Sequence, residues 1–328
     1  MKRDASKVIL AFVAAIVIIS AGIEAQENSY REDGWAKLPD GRRLGQMSAI
    51  DVDPTGNVWA LDRCGANSCA GSKVTPVVKF DPTGKYLTSF GAGLFVFPHG
   101  MHVDKDGNVW VTDADGKDGK GHQVVKFSPD GRVLLALGKA GVAGNAPDTF
   151  NRPSALTTGP NGDIFVADGH GGESNARIMK FSKDGKFVKA WGKKGTAAGE
   201  FETLHAIAAD SKGRVFVGDR GNSRVQVFDQ DGNFIEEWKQ FGRPSGIFVD
   251  RYDTLYVTDN QSDAKTNPGG TRGVRIGSVN DGKVKTFIPG LGGNPQSQSA
   301  GEAVAADAVG NVYWVETNGM IIRKFVKR

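Results

Sequence analysis

Two histidines and one glutamate stand at equivalent points of a phrase that the chain repeats six times. His99 lies in Pro98-His99-Gly100-Met101-His102-Val103-Asp104, His205 opens His205-Ala206-Ile207, and Glu302 opens Glu302-Ala303-Val304. Each lies nine positions before the residue that leaves a following turn: Asn108, Arg214 and Asn311. The intervening copies carry Ser48, Ser154 and Ser245 in the same slot, so groups able to bind a metal alternate with a small hydroxyl. Two imidazoles and a carboxylate meeting at one point form a divalent-metal site with open coordination positions, the arrangement a Lewis-acid centre needs. The chain has five histidines. Chance would place roughly 0.1 of them in these slots, and two are there. A lone histidine here would read as a polar residue bonded to water; the alternating triple reads as a metal site.

The elements that carry this slot are short strands. After each slot comes an apolar-alternating run, a turn such as Lys105-Asp106-Gly107-Asn108, and a second alternating run such as Val109-Trp110-Val111-Thr112-Asp113. Third and fourth runs follow, joined by Asp-Gly hairpin turns at Asp130-Gly131, Asp184-Gly185 and Asp231-Gly232. Four antiparallel strands per repeat with no helical period predict an all-β, six-bladed β-propeller. In that fold the first strand of each blade lines the central channel, so the six slots form a ring and His99, His205 and Glu302 point at the axis from alternate blades. The last repeat is one strand short. Residues 34–38, Gly-Trp-Ala-Lys-Leu, resemble a fourth strand and are expected to close blade six.

Composition and charge exclude several classes. With 39% hydrophobic residues in 328 the chain has ample core, and its 45 glycines fall at recurrent turns. A net charge of +4 without a basic stripe or aromatic platform gives no nucleic-acid surface. Lys2, Arg3 and Lys7 precede an apolar run over residues 8–19, then small residues, the pattern of a secretory signal peptide cut near Ala25. An uncleaved anchor is the alternative. The expected organisation is therefore residues 1–25 as a signal and 30–328 as one domain, secreted or periplasmic, monomeric and free of the membrane after cleavage. Cys64 and Cys69, the only cysteines, share one loop and are expected to pair in an oxidising compartment.

The stretch Asp219-Arg220-Gly221-Asn222-Ser223-Arg224-Val225-Gln226-Val227-Phe228 resembles the NHL repeat, and the likeness runs through all six blades. Within NHL propellers the chain resembles the peptidyl-α-hydroxyglycine α-amidating lyases. Phe97-Pro98-His99-Gly100 matches their first zinc-ligand motif, and Phe201-Glu202-Thr203-Leu204-His205 the second, with Leu204 in place of the usual proline. The resemblance implies zinc on the axis and cleavage of an N–Cα bond of a C-terminal α-hydroxyglycine, giving an amide and glyoxylate. It implies that Arg63 orients substrate and that Arg220 lies in the same pocket. Three positions depart from the family. Glu302 stands where the third zinc histidine is expected, keeping a ligand but adding negative charge. His170, in Asp168-Gly169-His170, replaces the catalytic tyrosine and would act as the base. Ala303 replaces an aspartate of a structural calcium site, leaving only the carbonyls of Ile50 and Met101 for that ion.

The catalytic set expected is thus Arg63, His170 and Arg220, with His99, His205 and Glu302 on a divalent metal and a small molecule or peptide C-terminus as substrate. Two other readings compete: a non-catalytic exported propeller binding a protein or glycan, and a metal-dependent lactone hydrolase, toward which Glu302 leans. Trp59, Trp110, Phe165, Phe216, Tyr256 and Tyr313 share one position and read as inter-blade packing. The blade-end acids Asp62, Asp113, Asp168, Asp219, Asp259 and Glu316 read as loop hydrogen-bonders. His102 alternates away from the His99 slot, and His122 falls in what reads as an exposed loop. Residues 115–121 and 264–272 read as polar rims of a binding face.

Overall fold

A computed structural model describes residues 29–294 and 298–328. The expected signal segment lies outside the described residues.

Six four-stranded antiparallel sheets are arranged as a β-propeller. Their inner strands are Met47–Val52, Pro98–Val103, Pro153–Thr158, Leu204–Ala209, Pro244–Val249 and Ala303–Ala306. Blades one to five run in simple sequence from inner to outer strand, and neighbouring inner strands touch around the ring. Second strands are buried, as in Val58–Asp62 and Val312–Glu316, apart from the exposed end of Val109–Lys117, whereas outer strands expose residues such as Val133, Val188 and Ile235. Burial on both faces selects the β-branched and aromatic runs seen there.

The repeated aromatic fills the space between blades. Trp59, Trp110, Phe165, Phe216, Tyr256 and Tyr313 are each at most 3% exposed. Each ring with a polar edge donates it to the aspartate that closes its own hairpin: Trp59 to Asp53 at 3.1 Å, Trp110 to Asp104 at 3.0 Å, Tyr256 to Asp250 at 3.2 Å and Tyr313 to Asp307 at 3.1 Å. The five blade-end aspartates accept backbone N–H groups of the loop entering their own blade, and Glu316 accepts from the Ser299 hydroxyl instead. Asp113 holds Val96 and Phe97, Asp168 holds Asn151, and Asp219 holds Glu202. They are loop anchors, and their burial follows from that role.

Closure comes from the N-terminal side, but four residues earlier than expected. The strand Tyr30–Asp33 pairs with Ile321–Lys327, from Tyr30 opposite Lys327 to Asp33 opposite Lys324. The segment 34–38 is instead a plug. Trp35 is buried between Phe80 of blade one and Tyr313 of blade six, with ring centroids 5.4 and 5.1 Å away, and donates to Pro82 O at 3.0 Å. The apolar residues that suggest a strand there are the plug itself, Trp35 filling an inter-blade hole with Ala36 and Leu38 packed beside it.

Residues 115–121 are not a loop. The second and third strands of blade two extend as Val109–Lys117 and Lys120–Phe127, turning at Asp118-Gly119, both at positive φ. His122 is consequently buried, its ring against Gly116. The glycine- and charge-rich composition marks a protruding hairpin tip rather than an irregular rim.

Candidate functional site

The slot residues owe their orientation to bulges. Pairing between first and second strands passes from Met47 to Ala49, Pro98 to Met101, Pro153 to Ala155, Leu204 to Ala206 and Pro244 to Gly246. Ser48, His99, Ser154, His205 and Ser245 therefore sit outside the regular ladder, where a bulge re-aims the side chain and leaves backbone groups unpaired. Glu302 immediately precedes its strand, its N–H bonded to Val315 O at 2.7 Å. The freed carbonyls have a use. His99 Nδ1 lies 2.7 Å from Ser154 O, and His205 Nδ1 lies 2.6 Å from Ser245 O. A carbonyl only accepts, so each Nδ1 carries the proton and each Nε2 offers a lone pair. The alternation of histidine and serine follows: each imidazole is held by the backbone of the next blade's slot. Gly100 lets the blades come this close, since a Cβ there would stand 2.5 Å from Ser154 O.

A third imidazole completes the cluster. His170 follows Asp168, the last residue of Ile164–Asp168, after Gly169 at φ +146°, a backbone angle that favours glycine. Its Nε2 lies 2.9 Å from His99 Nε2, and ligand nitrogens of His99, His170 and His205 all lie within 4.8 Å of one another. Ring centroids are 4.4 to 5.1 Å apart. His205 Nε2 is buried without a hydrogen-bond partner. His99 and His205 turn Nε2 lone pairs inward with their opposite N–H groups given to carbonyls, which is what a metal site requires of its histidines, and His170 adds a third ring nitrogen. The donor set fits a divalent metal of zinc type.

Glu302 abuts this cluster, with Oε1 3.3 Å from His205 Nε2. Its other oxygen accepts from Asn260 Nδ2 at 2.6 Å, and Asn260 Oδ1 accepts from Ser245 Oγ at 2.5 Å. Burial pushes all three histidines down: His170 to about 2, with His205 and the arginines acting the same way, and His99 well below its ordinary value, helped by His170. All three are neutral, as ligation demands. Burial alone would raise Glu302, but the Arg220 and Arg63 charges hold the carboxyl well below its usual range. It is an anion.

Arginines surround these groups. Arg63 leaves the second strand of blade one, donates Nε to Pro98 O at 3.2 Å and NH1 to Asn67 Oδ1 at 3.1 Å, and lies 4.3 Å over the Phe97 ring. Arg220 occupies the equivalent exit in blade four, in the 3₁₀ turn Arg220–Asn222. Both are nearly buried, at 3% and 8% exposed. Burial pushes the Arg220 guanidinium down to about 10, against the pull of Glu302. It remains a cation at neutral pH.

The loop holding Arg63 is pinned by the Cys64–Cys69 disulfide, which the structure forms as expected. Cys64 and Asn67 within it adopt positive φ. Opening this small ring with Cys64→Ser/Cys69→Ser should cost about 2 kcal/mol of stability on chain entropy. The same opening should loosen Arg63 and weaken binding of a small carboxylate probe severalfold. Thermal unfolding and calorimetric titration on the same preparation check both.

The structure thus brings His99, His205 and His170 into one cluster, places Glu302 against His205, and sets Arg63 and Arg220 at blade exits on the same face. The axis narrows to a neck of about 50 Å³ lined by Ile50, Met101 and Ala303 together with His99, His205 and the slot serines Ser48, Ser154 and Ser245. His102 lies away from the cluster, its Nδ1 3.2 Å from Asp51 Oδ2 and its Nε2 2.9 Å from Thr158 Oγ1, tying blades one to three. Asn260, which fixes Glu302, has a signal in the sequence after all. It directly follows the blade-end Asp259, as Arg63 follows Asp62 and Arg220 follows Asp219. Reading that second slot down the repeats yields all three.

Fold and site together define a six-bladed β-propeller with a histidine cluster on its axis. The NHL repeat model matches residues 201–228. Peptidyl-alpha-hydroxyglycine alpha-amidating lyase 1 of Drosophila melanogaster is 34% identical over 171 residues, covering 46% of this chain and 30% of that protein. NHL repeat-containing protein 3 of Homo sapiens is 33% identical over 198 residues, 58% of this chain and 54% of that protein. The curated relatives named here are matched over at most about half of their length. Among solved structures, a streptogramin B lyase superposes with a TM-score of 0.58 at 12% identity, covering 91% of this chain and 98% of that one, a likeness of fold. The chain resembles the amidating lyases over part of its length.

Proposed function

We propose that this protein is an exported, divalent-metal-dependent carbon–nitrogen lyase acting on an α-hydroxyglycine-type amide. The observation that carries the reading is the convergence of three neutral imidazoles, two of them buried with Nδ1 committed to a backbone carbonyl, on the face that also presents Arg63 and Arg220. The partial likeness to amidating lyases supports the reaction class, and the disulfide supports an oxidising compartment.

His99, His170 and His205 would hold the ion, zinc being the best match to three imidazoles. A bound divalent ion supplies Lewis acidity that makes a nearby hydroxyl a stronger acid. Arg63, with NH2 buried and unpartnered, receives the substrate carboxylate. Glu302 Oε1, the oxygen Asn260 does not hold, takes the hydroxyl proton. The O–H electron pair becomes the C=O of glyoxylate, the N–Cα bond breaks, and the departing amide nitrogen takes up the proton held by Glu302 to leave as the primary amide. A carboxylate this acidic is a weak base, so the step depends on the hydroxyl being acidified.

Metal-loaded protein should release glyoxylate from α-hydroxyhippurate, and Arg63→Ala should lower kcat/KM on the order of 100-fold, mostly through KM. Absence of glyoxylate from protein with full metal occupancy would reject the lyase. The presence of Glu302 in the site favours lactone hydrolysis as the second reading, which lactone turnover without glyoxylate release would select.

A further inference from the structure

Three arginines, not one, reach this site with guanidinium nitrogens left unsatisfied. Arg63 NH2, Arg220 Nε and Arg243 Nε are each buried without a hydrogen-bond partner. Their positions follow from the repeat. Arg63 and Arg220 sit at the exits of second strands in blades one and four, which face each other across the ring. Arg243 directly precedes the inner strand Pro244–Val249 of blade five, two residues from the Ser245 carbonyl that holds His205, and its N–H is anchored on Asp259 at 2.9 Å. Strand exits and inner-strand entries lie at the same end of an antiparallel pair, so all three open onto the histidine face. One cation therefore stands on one side of the axis and two, in adjoining blades, on the other.

The charges do not balance. Among the described residues Glu302 is the carboxylate against the histidine cluster, and its single charge serves both Arg63 and Arg220. Asp115, a further acid near the rim, is taken by Arg152 at 3.1 Å. Three desolvated guanidinium groups sharing one such carboxylate are costly, and the cost is recovered when an anion docks. A monocarboxylate satisfies one side of the ring only. We infer that the site takes a small acid with two anionic groups, one on Arg63 and the other on the Arg220–Arg243 side. This rests on the histidine face being the ligand site and narrows the proposed substrate to an α-hydroxy amide whose far end also bears an anionic group. A carboxylate and a phosphoryl group would satisfy the second side by the same chemistry.

Calorimetric titration of the metal-loaded protein in 0.15 M salt (roughly one Debye length of 8 Å) tests this without turnover. The probes are butyrate, succinate, glutarate and 3-phosphonopropionate, with metal content measured before and after. At least one dianion should bind tenfold or more tightly than butyrate. Succinate or glutarate leading would assign a carboxylate to the second side, and 3-phosphonopropionate leading would assign a phosphoryl group. Arg243→Gln should erase the preference, and Arg220→Gln serves if that variant does not fold; Lys324→Gln, on a remote strand, should keep it. Equal affinities, no binding of any probe, or a preference surviving both arginine variants would overturn the inference. The lyase reading is judged separately by glyoxylate release, so either can fail alone.

Discussion

His170→Ala is expected to strip the protein of its divalent metal, while Glu302→Gln leaves the metal in place and removes turnover. The geometry separates these roles. His170 Nε2 lies 2.9 Å from His99 Nε2, in hydrogen-bond contact with its lone pair, so an ion at this point would take both nitrogens in place of the N–H···N bond. Glu302 touches His205 alone among the three and has one oxygen bound by Asn260. Loss of a ligand should weaken metal binding by at least on the order of 100-fold, more than loss of an outer hydrogen bond does. Loss of the proton acceptor should lower kcat by about 10²- to 10⁴-fold with metal stoichiometry near the parent's. Elemental analysis of both dialysed variants beside kcat decides it. Retention of metal by His170→Ala with its loss in Glu302→Gln would return the roles to those the family resemblance implies, with His170 as base and Glu302 as ligand.

Trp35→Ala should be among the most destabilising single substitutions in the molecule. Trp35 is 6% exposed, packs on rings from both the first and the last blade, and donates to Pro82 O. Truncating a buried tryptophan costs about 3–5 kcal/mol, which for a domain of this size is a fall of roughly 10 °C in Tm. Val188→Ala, on an exposed outer strand, should change stability by no more than about 0.5 kcal/mol. Removing Tyr30–Asp33 should also lower Tm, because the strand's four pairings with Ile321–Lys327 cap an otherwise open sheet edge. Equal unfolding midpoints for the parent and Trp35→Ala would refute the plug.

Much of the architecture was legible because it is periodic. A slot recurring nine residues before each turn exit locates every inner strand, and the shared aromatic locates every inter-blade seam. The closing strand was misplaced because it belongs to no repeat. Tyr30–Asp33 reads as a polar run and is a strand only because Ile321–Lys327 offers it an edge. In the site, His99, His205 and Glu302 were visible through registration. The joining of His170 to the two slot histidines was not, because its position depends on a loop turning at Gly169 and on bulges that leave no sequence period. His122 was misread as exposed because glycine-rich composition signals a turn but not which strand pair carries it.

The seam between Tyr30–Asp33 and Ile321–Lys327 also sets an order of events during synthesis. Glu32 and Arg323, paired across it, stand 291 residues apart. The first partner emerges early from the ribosome and waits, unmatched, until the other has been translated, and contacts of such long range form slowly. In that interval the open ring can accept the same segment from a neighbouring molecule, so crowded expression should favour strand-exchanged dimers.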